Sequence, residues 1–295
     1  MGRICVAGAS ALMLLFATFA VAETPVERGG YLVNTILACG NCHTPKTPNG
    51  HPIVGRELSG GLSFTTPAFN AVAANITQDR ETGIGNWSDA DIKLALTEGK
   101  RPSHARLAGV PLAAVMPVSF YKALLPGDLD AIVAYLRSVR PVRNEVASPD
   151  YKMPVRHQSY PDAEAGFAVD GQKDPIKRGA YLATIGHCME CHSAWDRGVP
   201  DYKTGFGKGG RKFGPSLVQG VKAGWKGSIG RNITSHGSNG IGAWTDSEIK
   251  RAITQGVSRD GRKLEPPMAF TWYANLKDGD LSALVAWLRT VPPKE

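Results

Sequence analysis

Two thiols three positions apart with a histidine directly after them occur twice in this sequence, as Cys39-Gly40-Asn41-Cys42-His43 and as Cys188-Met189-Glu190-Cys191-His192. The pattern is the attachment signature of a c-type haem. Each sulfur adds across a vinyl group of the ring, and the adjacent histidine is carried under it as the proximal ligand of the iron. The spacing and the histidine are kept while the residues between the thiols change, which implies two covalently attached haem c groups. A four-thiolate zinc site built from Cys39, Cys42, Cys188 and Cys191 is the competing reading, and it leaves His43 and His192 without a role.

Whether such an iron carries electrons or handles a small molecule turns on the position opposite the histidine. A methionine there favours electron transfer at raised potential, and an open position favours ligand binding. Met189 is trapped between two haem-linked cysteines, which leaves Met116, Met153 and Met268. Met116 and Met268 follow their histidines at similar intervals and precede matching aromatic-rich segments, whereas Met153 has no counterpart. A lone methionine is ordinarily core filler, and equivalence across the repeat reverses that. The candidate iron ligands are therefore His43 with Met116 and His192 with Met268; the attachment residues are Cys39, Cys42, Cys188 and Cys191. No catalytic residue is expected. Histidines 51, 104, 157, 187 and 236 are unmatched between the halves and read as solvated or propionate-contacting.

The elements that must position these residues also come twice. Arg28-Gly29-Gly30-Tyr31-Leu32 matches Arg178-Gly179-Ala180-Tyr181-Leu182, Asn75-Ile76-Thr77 matches Asn232-Ile233-Thr234, and Gly83-Ile84-Gly85-Asn86-Trp87-Ser88 matches Gly240-Ile241-Gly242-Ala243-Trp244-Thr245. Helices over residues 27–38 and 177–187 should deliver the thiols. Ser88 with Asp91 and Thr245 with Glu248 form capping boxes, and Gly99 and Gly256 suit the stops. Leu129, Ile132, Val133 and Leu136 recur as Leu281, Leu284, Val285 and Leu288, a buried stripe on each last helix. No alternating strand pattern competes, so the expected fold is all-α: two tandem small helical domains, each wrapped round one haem. Tyr31 and Tyr181 should pack where the first and last helices of each domain cross.

At the start of the chain, Arg3 and the apolar run Ile4–Ala22, ending in Ala20-Val21-Ala22, read as a signal peptide over residues 1–22. Of the five cysteines, Cys5 leaves with it, and no thiol is spare for a disulfide, a nucleophile or a further iron ligand. The expected layout is a first domain over 23–140, a proline-bearing linker over 141–174 and a second domain over 175–295. The net charge is +8. In an exported redox protein it points to steering towards acidic partners or anionic headgroups, not to nucleic acid. Much of it lies in a glycine-rich stretch, where Lys203, Lys208, Arg211, Lys212, Lys222, Lys226 and Arg231 face Asp201 alone, which reads either as a solvated loop neutralising haem propionates or as a docking surface for an acidic redox partner.

This succession of motifs resembles the class I type cytochrome c domains in multihaem subunits of alcohol, sugar and aldehyde dehydrogenases and of nicotinate-type hydroxylases. Many of those subunits carry three haem domains; two attachment pentapeptides are present here. The resemblance implies histidine–methionine ligation and a periplasmic carrier, soluble or peripheral to the inner membrane. Such a carrier takes single electrons from a dehydrogenase and passes them to a terminal oxidase or another cytochrome. The alternative is a dihaem enzyme, a peroxidase or a sulfur-compound dehydrogenase. The first needs an iron position that matched methionines would close, and a cysteine-ligated version of the second needs a thiol that is not spare.

Overall fold

The computed structural model describes residues 22–295, so the expected signal segment lies almost wholly outside the described residues. The first half contributes α1 (Pro25–Asn34), α2 (Cys39–His43), α3 (Asp89–Glu98), α4 (Val118–Tyr121) and α5 (Pro126–Ser138). The segment between the halves holds α6 (Pro161–Ala165). The second half repeats the series as α7 (Pro175–Ile185), α8 (Cys188–His192), α9 (Asp246–Gln255), α10 (Phe270–Tyr273) and α11 (Asp278–Leu288).

Local chemistry sets the ends of these helices. Thr24 and Glu27 close a capping box ahead of α1, and Asp174 accepts the Lys177 amide ahead of α7. Each has proline at N1 or N2, where a missing N–H costs nothing, so both helices begin two residues before the positions expected from their apolar pattern. Ser88 with Asp91 and Thr245 with Glu248 form the expected boxes on α3 and α9, and Gly99 (φ 67°) and Gly256 (φ 63°) end those helices in the left-handed region.

The first and last helices of each half cross at a glycine. A Cβ on Gly29 would lie 1.8 Å from the carbonyl oxygen of Ala131 in α5, and one on Gly179 would lie 2.0 Å from that of Ala283 in α11. Around the crossings, Ile132, Val133, Leu136, Leu281, Leu284, Val285 and Leu288 are buried, while Leu129 at the start of the first stripe is half-buried. Arg137 and Arg289 then tie the last helices to the capped ones, donating to the carbonyls of Trp87 and Trp244 and pairing with Asp89 and Asp246.

The expectation of an all-α fold is not met. Among the described residues there are eight short strands: β1 (Ser63–Thr65), β2 (Phe69–Val72), β3 (Asp150–Tyr151), β4 (Ala194–Asp196), β5 (Val199–Asp201), β6 (Lys212–Phe213), β7 (Val218–Gln219) and β8 (Ser228–Ile229). They form one four-stranded antiparallel sheet in the order β3-β2-β1-β7 and two two-stranded ribbons. The long connections after each attachment site run against the protein body, and their backbone groups must find partners there. Strands of two to four residues supply them while showing too little alternation to be read in sequence.

The larger sheet joins three regions. β1 and β2 come from the first half, β3 from the linker, and β7 from the glycine-rich basic stretch of the second half. The linker is accordingly packed: Tyr160 is buried, with its ring 4.6 Å from Phe120 of the first half and 5.0 Å from Tyr202 of the second. Gly29→Ala is expected to destabilise the protein by at least about 2 kcal/mol, because the clash is with backbone that cannot turn away. Gly127→Ala, where the added methyl meets open space, should stay within about 0.5 kcal/mol of the parent. Denaturant unfolding of the two variants checks this.

Candidate haem site

Each attachment pentapeptide is a single helical turn entered through a left-handed residue, Ala38 (φ 45°) before α2 and His187 (φ 43°) before α8. The reversal ends the run from α1 or α7 and starts a new turn at the first cysteine. Thiols at i and i+3 then fall on one face of that turn. All four are free of disulfides.

The histidines are held in one tautomer. His43 Nδ1 lies 2.7 Å from the carbonyl oxygen of Ala74, and His192 Nδ1 lies 2.7 Å from that of Arg231. A carbonyl only accepts, so Nδ1 carries the proton and Nε2 is left bare, as a metal-bound imidazole requires. Burial also lowers the pKa of both imidazoles, opposed by these hydrogen bonds, and this favours the neutral ring.

The repeated Asn-Ile-Thr motif explains why the carbonyls stand where they do. Asn75 Oδ1 accepts from the amide and hydroxyl of Thr77, and Asn232 Oδ1 from those of Thr234, at 2.7–3.0 Å. The amide nitrogens of the asparagines donate to Val142 and Lys294, just beyond the last helices, at 2.8 and 2.7 Å. The turn is thereby pinned to the chain leaving α5 or α11, and the residue preceding each asparagine, Ala74 or Arg231, presents its carbonyl to the histidine.

One continuous cavity of about 2650 Å³ opens between these elements. Cys39, Cys42, His43 and Met116 line it from the first half, and Cys188, Cys191, His192 and Met268 from the second. Trp87 and Trp244 also line it while packing against the core. Met116 and Met268 are half-buried, immediately ahead of α4 and α10. Met153 reaches the same cavity but is 58 % exposed.

The halves do not enclose their sites separately. Asn41 Nδ2 donates to the carbonyl of Pro267 at 2.8 Å, and a Cβ on Gly40 would lie 2.9 Å from Trp272 Nε1. The segment carrying Met268 thus rests on the first attachment turn. In the mirror sense, the Phe120 ring, four residues past Met116, lies 6.2 Å from that of His187. These partners stand far apart in sequence and carry no local signal.

Arg211 was among the cations expected to face a partner, and the structure gives it another place. Its guanidinium lies over the Trp195 ring at 3.8 Å and the Phe213 ring at 4.8 Å, and donates to Glu190 Oε1 and to the Glu190 carbonyl, both at 3.2 Å. Both side chains of the pair are only 15 % exposed. Lys208, Lys212, Lys226 and Arg231 of the same stretch are exposed.

Unpaired thiols at haem spacing, imidazoles locked with Nε2 bare, and a large, mainly apolar cavity between them make a donor set that fits covalently held haem. The class so defined is a protein with residues suited to covalent haem attachment. Residues 176–292 match the cytochrome c family model. Over 90 % of its length the chain is 29 % identical to a nicotinate dehydrogenase subunit of Pseudomonas putida, covering 21 % of that protein. It is 28 % identical over 91 % of its length to the fructose dehydrogenase cytochrome subunit of Gluconobacter japonicus, of which it covers 53 %. A dihaem cytochrome c-type protein of Cereibacter sphaeroides is 26 % identical over 87 % of this chain and 83 % of its own length. The chain thus spans about a fifth of the first of these relatives and about half of the second.

Because Arg211 compensates a buried carboxylate, Arg211→Glu is expected to cost about 3 kcal/mol of stability. Lys208→Glu and Lys212→Glu should each stay within about 0.5 kcal/mol. Urea midpoints of the three variants check this.

Proposed function

We propose that the chain is a periplasmic electron carrier with two haems, one in a domain over residues 23–140 and one in a domain over 175–295, joined by 141–174. It takes single electrons from a dehydrogenase and passes them to a terminal oxidase or another carrier. The observation that carries this reading is the duplication of one donor set: two thiols, a histidine fixed through Nδ1 to a backbone carbonyl, and a methionine at the equivalent place on the cavity wall.

When bound, the haem iron supplies a one-electron change of oxidation state. Cys39, Cys42, Cys188 and Cys191 would hold the rings, and His43, His192, Met116 and Met268 would ligate the irons. The walls around these residues are mainly apolar. A dehydrogenase as electron donor accords with the names of the relatives, and export accords with the sequence of residues 1–22. Among the described residues no helix is long and apolar enough to cross a membrane.

The purified exported protein should carry two haems per chain, measured as the alkaline pyridine adduct. Met116→Leu and Met268→Leu should each abolish the ferric methionine-to-iron band of one haem and leave the other intact. Survival of both bands in both variants overturns the ligand assignment, and prompt carbon monoxide binding to the reduced parent protein favours a dihaem enzyme instead.

A further inference from the structure

The tyrosines of the two Arg-Gly-x-Tyr-Leu segments do not stay within their own halves. The Tyr31 hydroxyl, from α1, donates to Asp280 Oδ2 in α11 at 2.7 Å, and the Tyr181 hydroxyl, from α7, donates to Asp128 Oδ2 in α5 at 2.6 Å. Each carboxylate is gripped at the same time by the arginine of its own half. Arg28 donates through Nε and Nη2 to the two oxygens of Asp128 at 2.8 and 2.9 Å, and Arg178 does the same to Asp280 at 2.9 and 2.9 Å. Each hydroxyl also accepts a backbone N–H at the entrance to the other half's last helix, from Lys277 at 3.2 Å and Leu125 at 3.4 Å.

The same unit of arginine, aspartate, exchanged tyrosine and amide is therefore built twice. Tyr181 is fully buried and Asp128 is 8 % exposed, while Tyr31 is half-buried with the Lys277 ammonium 4.6 Å from its ring centre. A bidentate guanidinium leaves lone pairs on the carboxylate, and a hydroxyl from the opposite half fills one of them. Packing alone would need only the ring, so phenylalanine would serve. The hydroxyl is what the opposite half uses.

We infer that Tyr31 and Tyr181 are positioning residues that latch the two halves at one separation, each by seating its hydroxyl on the arginine–aspartate pair of the opposite half. The consequence for electron exchange between the halves rests on the two-haem reading above, because exchange depends on how closely the two centres are held. The latch itself does not rest on that reading.

The test uses the full haem-loaded chain with Tyr31→Phe, Tyr181→Phe and both together. Haem content and the methionine-to-iron bands should match the parent, since no hydroxyl touches a ligand. Tryptic cleavage within the linker, at the exposed Arg143, Lys152 and Arg156, should rise about tenfold in each single variant and about a hundredfold in the double, as expected for losing one or two hydrogen bonds to a charged group. Electron exchange between the haems after photoreduction should slow at least twofold in the double variant. Cleavage or exchange indistinguishable from the parent in the double variant overturns the proposal. Should the buried Tyr181→Phe fail to fold, Tyr31→Phe, at the less buried site, decides it by the same readouts. A parent protein with other than two haems refutes the carrier reading and leaves cleavage alone to judge the latch.

Discussion

At the two helix crossings, backbone meets backbone at a distance no side chain survives. Gly29 against Ala131 and Gly179 against Ala283 set how deeply α1 sinks onto α5 and α7 onto α11, and much else is measured from there. The close crossing aligns Arg28 with Asp128 and Arg178 with Asp280 across neighbouring helices. It also fixes the ends of α1 and α7, from which the left-handed step at Ala38 or His187 launches the attachment turn. A shift of one helix over the other would displace thiols, histidine and ion pair together.

The histidine is then governed from a second direction. The crossing places the imidazole, whereas the turn at Asn75–Thr77 or Asn232–Thr234 places the carbonyl that selects its tautomer. That turn is tied to the chain just beyond the last helix, so both constraints meet at α5 or α11. A motif containing neither cysteine nor histidine thereby sets the tautomer of each imidazole, through a backbone atom whose residue type is free to differ: alanine in one half, arginine in the other.

The sequence made legible what repeats locally. Attachment pentapeptides, capping boxes at Ser88 and Thr245, glycine stops and the leucine stripes are patterns within a few residues of one another, and each stands where its local chemistry requires. The strands escaped because they are too short for a period to show, whether they pair locally, as Thr65 does with Asn70, or across the halves, as Phe64 does with Val218. Arg211 misled for a related reason. A cation in a glycine-rich run looks solvated until Trp195, Phe213 and Glu190 are seen to close on it. Tyr31 and Tyr181 were visible as a repeated residue type, but their partners lie 249 and 53 positions away in the opposite half, which repeat matching within each half does not reach.

Equivalent pentapeptides sit in unequal surroundings here, and the difference begins inside the pentapeptides themselves. Asn41 in the first occupies the place of Glu190 in the second. Asn41 spans from the Pro267 carbonyl to the Lys46 ammonium at 2.9 Å, and Lys46 lies 5.6 Å from the Trp272 ring. A neutral amide thus holds a cation with which, among the described residues, no carboxylate pairs, next to the first attachment turn. Glu190 instead pairs with Arg211 and stands 3.4 Å from His187 Nδ1, so the second turn carries a carboxylate set between two basic side chains. A cation in a low-dielectric wall favours added negative charge nearby, and a balanced pair does so far less. Equivalent candidate residues in the two halves are in this way placed in different surroundings by a single exchange of amide for carboxylate.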